Sequence, residues 1–212
     1  MYVIDRSMAE CAGRANFPSV WNTHSRITQD IARAHIEDLS KLTPPVSIPS
    51  QYIPTSSPSP STEGAPVDLD TPDEEAIRSL VLGIAHRTLE DFTTSRAVLE
   101  DIIKKQPQIK HSTWVNSVVL FELAVLDLKE VEADERAGKL SSETNKSELS
   151  HAGAGRWEEA IKGATIKLDK AVSISGNEVD LSSRLDSRAM MLKDEMTLKR
   201  EMLMTCGTPK LH

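Results

Sequence analysis

Six histidines and several pairs of adjacent acids are the residues of this chain best suited to acid–base or metal chemistry. His24, His35, His86, His111, His151 and His212 are scattered, and none falls at a Cys/His metal-ligand spacing. Glu74-Glu75, Glu90-Asp91, Glu100-Asp101 and Glu158-Glu159 sit in helical patterns. Adjacent positions on a helix diverge by about 100°, so such acids do not converge on one substrate and read as solvated faces. His86 lies in an apolar helical stretch and reads as a packing residue. No G-x-S-x-G, phosphate-binding loop or dinucleotide fingerprint occurs. Cys11 and Cys206 lie near opposite ends, which predicts no disulfide framework and a reducing compartment. The chain is thus expected to be non-enzymatic, with no catalytic, cofactor-binding or metal-binding residues.

The composition points the same way. Hydrophobic residues make up 39% and aromatics only 4% of the 212 residues, which suits helices packed through Leu, Ile, Val and Ala. A net charge of −7 argues against a nucleic-acid partner or a polybasic membrane anchor. The first residues, MYVIDRSMAECAGR, hold acids early and no apolar run, so no secretory signal is predicted. The longest apolar run, VVLFELAVLDL at 118–128, is too short for a bilayer and contains Glu122 and Asp127.

An all-α reading follows from the periodicity. Residues 1–42 form an N-terminal segment with one helix, about 25–42. Ile27, Ile31, Ala34 and Asp38 recur at helical spacing there, and Ile36 and Leu39 widen the face. It has to dock on the C-terminal part or on another chain. Residues 43–71 are rich in Pro and Ser and read as a disordered linker, with Ser57-Pro58, Ser59-Pro60 and Thr71-Pro72 as phosphorylation candidates. A helical domain over 72–205 opens with the capping box of Thr71 and Glu74. Helices are expected at 72–89, 92–105, 113–136, 156–175 and 179–204. The third, apolar nearly all round, should be the most buried. Residues 138–155 read as an inserted polar loop, and 206–212 as a tail. In the last helix Leu181, Leu185, Ala189, Leu192, Met196 and Leu203 form one stripe, and Glu195 and Lys199 can pair.

Residues 82–107, LGIAHRTLEDFTTSRAVLEDIIKKQP, approximate the tetratricopeptide pattern. Leu82-Gly83 supply its Leu-Gly, His86 replaces its tyrosine, Ser95 and Leu99 stand where Ala-x3-Phe belongs, and Pro107 closes the unit. Gly83 lets two helices approach, while Leu82 and Leu99 fill their seam. A second, interrupted unit has Leu123-Ala124, then Trp157 and Ala160. The groove-facing positions of such units are Leu80, Ile84 and Arg87, then Phe121, Val125 and Leu128. Five of these six are apolar, which disfavours a carboxylate clamp. An apolar groove of this kind holds an apolar peptide or is filled by the chain's own first or last helix.

In order and spacing, the blocks LGIAHRTLEDFTTSRAVLEDIIKKQP, WVNSVVLFELAVLDL, RWEEAIKGATIKLDKAV and SSRLDSRAMMLKDEM resemble the C-terminal portion of the fungal inclusion-body clearance protein family and its animal tetratricopeptide-repeat relatives. They span about residues 74–198. The resemblance implies a short α-solenoid of cytoplasm and nucleus, active in clearing inclusions and partnered by proteins, lipid-droplet proteins among them. Family members are much longer chains. With one complete and one interrupted unit, the domain is expected to be marginal alone and to expose apolar surface. Lys193, Asp194, Lys199 and Arg200 are expected on the outer side of a capping last helix. A different class of function is a regulatory chain read through its Pro/Ser-rich linker.

Overall fold

The computed structural model describes residues 27–53, 71–138, 146–175 and 182–206. Six α-helices fill most of this length, with no strand among the described residues: α1 (Gln29–Ser40), α2 (Pro72–Thr88), α3 (Phe92–Lys104), α4 (Trp114–Arg136), α5 (Lys146–Ser175) and α6 (Ser182–Cys206). A short 3-10 turn, Gln106–Gln108, holds Pro107.

The ends follow local chemistry. Glu74 N–H donates to Thr71 Oγ1 at 3.3 Å, and Thr71 N–H donates back to Glu74 Oε2 at 2.8 Å, closing the capping box with Pro72 in the first turn. Between α2 and α3, Glu90 takes a left-handed φ of 60°, and Asp91 caps α3 by accepting Thr94 N–H at 3.3 Å. Gly138, at φ 69° and with open space around it, ends α4.

Two antiparallel hairpins form the centre. In α2/α3 the pairs Glu75–Lys105 and Gly83–Ser95 run in opposite directions along the chain. In α4/α5 the pairs Asp127–Lys167 and Asp134–Arg156 do the same. A Cβ on Gly83 would stand 2.7 Å from Leu99 Cδ2 and 2.8 Å from its Cγ, so the crossing admits no side chain. Ser95 Oγ donates to Gly83 O at 2.7 Å across the same point.

Three apolar clusters run through the stack. The middle one joins α2, α3 and α4 through Leu80, Leu99, Ile102, Val119 and Leu123. The C-terminal one joins α4, α5 and α6 through Phe121, Val125, Trp157, Leu168 and Leu192. The N-terminal one joins α1 to α2 and α3 through Ala32, Ile36, Leu82, Ala85, Leu89 and Val98. Helix α4, between two clusters, is buried on nearly every side as its composition implied.

Several expectations are corrected. The first helix packs with Ala32 and Ile36, both at 0% exposure, whereas Ile31 is 45% exposed and Ala34 and Asp38 face water. The buried stripe is set by the surface it meets on α2, not by the strongest apolar repeat. Leu82 belongs to that α1-facing cluster, together with Val98 of α3, while Leu99 lies in the middle cluster with Leu80 and Ile102. The part of the expected linker at 43–53 is a packed strap, with Val46, Ile48, Tyr52 and Ile53 against the N-terminal cluster and Pro44 O accepting Arg78 Nη2 at 2.8 Å. Residues 54–70, with Ser57, Ser59 and the rest of the linker, lie outside the described residues. The expected loop 138–155 is helical from Lys146, because a register fixed by Trp157, Ala160 and Ile161 extends N-terminally at little cost. Leu181, with the rest of 176–181, and residues 207–212 of the tail are outside the described residues. Leu185, Ala189, Leu192 and Met196 are buried as one stripe. Lys199 is 6% exposed and not on the outer side.

Candidate interaction surface and buried ion pairs

The expected groove residues do not line an open groove. Leu80 (5% exposed) points into the middle cluster, and Ile84 is half-buried at its edge. Phe121 and Val125, with Leu128, are buried in the C-terminal cluster, where α6 covers them with Leu185, Ala189, Leu192 and Met196. The chain's last helix thus fills the place a peptide would take on α4.

Arg87 is 9% exposed and donates to Glu122, which is 1% exposed. Arg188 of α6 approaches the other oxygen of Glu122 at 3.5 Å and lays its guanidinium 4.4 Å from the Phe121 ring centroid. One carboxylate therefore joins α2, α4 and α6. A buried acid requires a cation, and an isolated Glu122 in an apolar run is the signal that could have announced Arg87 and Arg188 beforehand. Asp127 works similarly, holding Arg96 of α3 at 2.9 Å and Lys167 of α5 at 2.6 Å. Lys199 sits 4.2 Å from the Trp157 ring centroid and 3.3 Å from Glu135, which also accepts Trp157 Nε1 at 3.2 Å.

Among the described residues, the hairpins expose Ile166, Val172 and Ile174 on α5 and leave a partly open stripe on α2 and α4. Ile77, Val81 and Ile84 recur at helical spacing on α2; Val81 is 40% exposed, and the other two are half-buried. Trp114 and Val118 form the matching half-buried pair on α4, at the edge of the same cluster.

His86, Asp91 and Ser50 come together by type as a hydroxyl, an imidazole and an acid. His86 Nδ1 lies 3.2 Å from Asp91 Oδ2 and 3.5 Å from Ser50 Oγ. Both partners thus meet the same ring nitrogen. A general base must face the nucleophile with one nitrogen and the orienting acid with the other, so this trio has no relay geometry. Burial holds the imidazole below its ordinary value, outweighing the attraction of Asp91. Among the described residues no three His, Cys, Asp or Glu side chains are placed to hold a metal, and no helix is long and apolar enough to cross a membrane.

No protein-family model, curated protein or solved structure matches this chain.

Proposed function

We propose that this chain is a protein-interaction scaffold of tetratricopeptide-like hairpins, without catalytic chemistry of its own. Its partners are other proteins, with lipid-droplet proteins as the class implied by the likeness to inclusion-body clearance proteins of cytoplasm and nucleus. Support comes from two successive antiparallel hairpins, the first crossing at Gly83 against Leu99 where the repeat pattern has its Leu-Gly. The observation that carries the interaction role is the α2–α4 stripe of Ile77, Val81, Ile84, Trp114 and Val118, which no other described helix covers completely. Partner apolar side chains would dock on this stripe, since the deeper positions Phe121 and Val125 are already filled.

The test is co-sedimentation of the full chain with isolated lipid droplets. Val81→Glu with Val118→Glu should abolish it, whereas Ile166→Glu, on the 60% exposed side of α5, should not. Equal recovery of all three proteins overturns the assignment of the surface. Deleting 54–70 should leave recovery intact; its loss would favour a linker-read regulator. A hydrolase screen giving turnover would overturn the non-enzymatic reading.

A further inference from the structure

We propose that His86, Asp91 and the end of the 43–53 strap form a proton-operated latch over the N-terminal apolar face of the first hairpin. Uptake of a proton by the His86 ring releases residues 50–53 and uncovers the part of that face under Tyr52 and Ile53. This goes beyond the scaffold reading and does not rest on it.

The geometry is that of a covered imidazole. His86 belongs to the last turn of α2, yet it is only 1% exposed. Part of its cover is the strap, with Ser50 Oγ 3.5 Å from Nδ1 and the Tyr52 ring tilted over it at a centroid distance of 6.0 Å. With Asp91 Oδ2 at 3.2 Å, the neutral ring donates from Nδ1 to the carboxylate, which fixes its tautomer. A second proton would then go to Nε2, on a ring with almost no access to water. Opening the strap hydrates the ring and removes that cost.

The surrounding charges do not compensate. Asp91 is the one charged group that acts on the ring among the described residues, and its Oδ1 is already engaged by Thr94 N–H. The strap contributes Ser50 and Tyr52. Helix α1 turns Ala32, Ile36 and Leu39 toward the cluster, while Asp30, Arg33, His35, Glu37 and Asp38 are exposed. On α2, Arg78 is held by Pro44 O and Arg87 by Glu122; on α3, buried Ser95 donates to Gly83 O. Burial outweighs Asp91, so the closed form binds the proton less well than a hydrated imidazole does.

The direction follows. Opening takes up a proton, so the open fraction rises as pH falls below about 6.5, by at most about tenfold per pH unit, until the closed-state value is reached. The release is local. Tyr52 N–H donates to Ser50 Oγ at 3.2 Å and Ile53 N–H to Ser50 O at 3.1 Å; a lone turn does not hold such bonds in water, so both amides become exchangeable once residues 50–53 leave the cluster. The Arg78 contact with Pro44 does not titrate and keeps the other end of the strap in place.

Hydrogen exchange of the Tyr52 and Ile53 amides in the full chain tests this at pH 7.5 and 5.5, after correction for the intrinsic exchange rate. Opening should increase several-fold, up to about tenfold, at pH 5.5, while amides in the middle of α4 keep their protection. His86→Gln and His86→Phe should each remove the pH dependence. Equal protection at both pH values, a pH response that persists in both variants, or α4 losing protection in step would overturn the latch. If neither variant folds, an NMR titration of His86 in the unaltered chain decides: a pKa at or above 6.5 overturns it.

Discussion

Gly83 and Leu99 make the tightest test of side-chain fit. The missing Cβ of Gly83 would overlap Leu99, which at 1% exposure has little room to turn away. Gly83→Ala should therefore be destabilising. Overpacking costs about 1–3 kcal/mol, more than the ~1 kcal/mol that alanine offers as a helix former. Leu99→Ala should cost about 2–5 kcal/mol. In that background Gly83→Ala should become neutral or stabilising, because the opposing atoms are gone. Urea unfolding of the four proteins measures this sign change, and equal losses from Gly83→Ala in both backgrounds would refute the contact. Glu122 sets the second residue-scale expectation. Glu122→Ala leaves Arg87 buried without its carboxylate and should cost about 3–5 kcal/mol. Arg188→Ala should cost about 0.5–1 kcal/mol, since that side chain is 30% exposed and mainly loses its ring contact. Similar losses from the two substitutions would show that Glu122 is not the centre of the pair.

The junction between hairpins is held by Asp73 at the start of α2. Its carboxylate accepts the backbone N–H groups of Lys110, His111 and Ser112 at 3.3, 2.8 and 2.5 Å, where the chain turns into α4. These bonds, that from Ser112 foremost, hold its pKa below the usual value. The carboxyl is easier to ionise in the folded protein, so its contribution is fully present above the unfolded pKa of about 3.9 and disappears as pH falls through the lowered value. Asp73→Asn should be less stable than the unaltered chain at pH 6, and the gap should close toward pH 2. Urea midpoints over that range check it, and a gap independent of pH would mean that the charge is not what holds the turn.

Across the whole molecule the two ends of the stack differ. The N-terminal apolar face is covered by α1 and the strap, so the foldback that a long connection makes entropically loose does occur. The outer face of α6 carries Asp194 and Arg200, as its sequence suggested, but it is apolar as well. Met190, Met191, Leu198 and Met204 are 68, 49, 59 and 64% exposed there, among Asp194 and Glu201. Binding of a hydrophobic dye should therefore come from this end. Met190→Lys with Leu198→Lys should reduce it at least several-fold, with the melting temperature nearly unchanged, because neither side chain is in the core. Dye binding that survives the pair of substitutions but falls with Ile31→Lys would place the exposed surface at the other end.

Helix positions could be read from the chain because they depend on local physics. The Thr71–Glu74 box, the apolar repeat of α4 and the Gly83–Pro107 spacing act within a few turns, and the helices they indicate form close to the expected limits. Which face of each helix is buried depends on its neighbours. Ile31 and Ile36 are equally apolar, yet only the one that meets α2 is covered, and Lys199 is buried because Trp157 and Glu135 lie across from it. Such pairings join residues far apart in sequence, as Arg87 is from Glu122 and Ser50 from His86, so no local spacing records them. The filling of the Phe121–Val125 surface by α6 arises in the same way: an apolar stripe in a sequence says that something covers it, and packing selects what does.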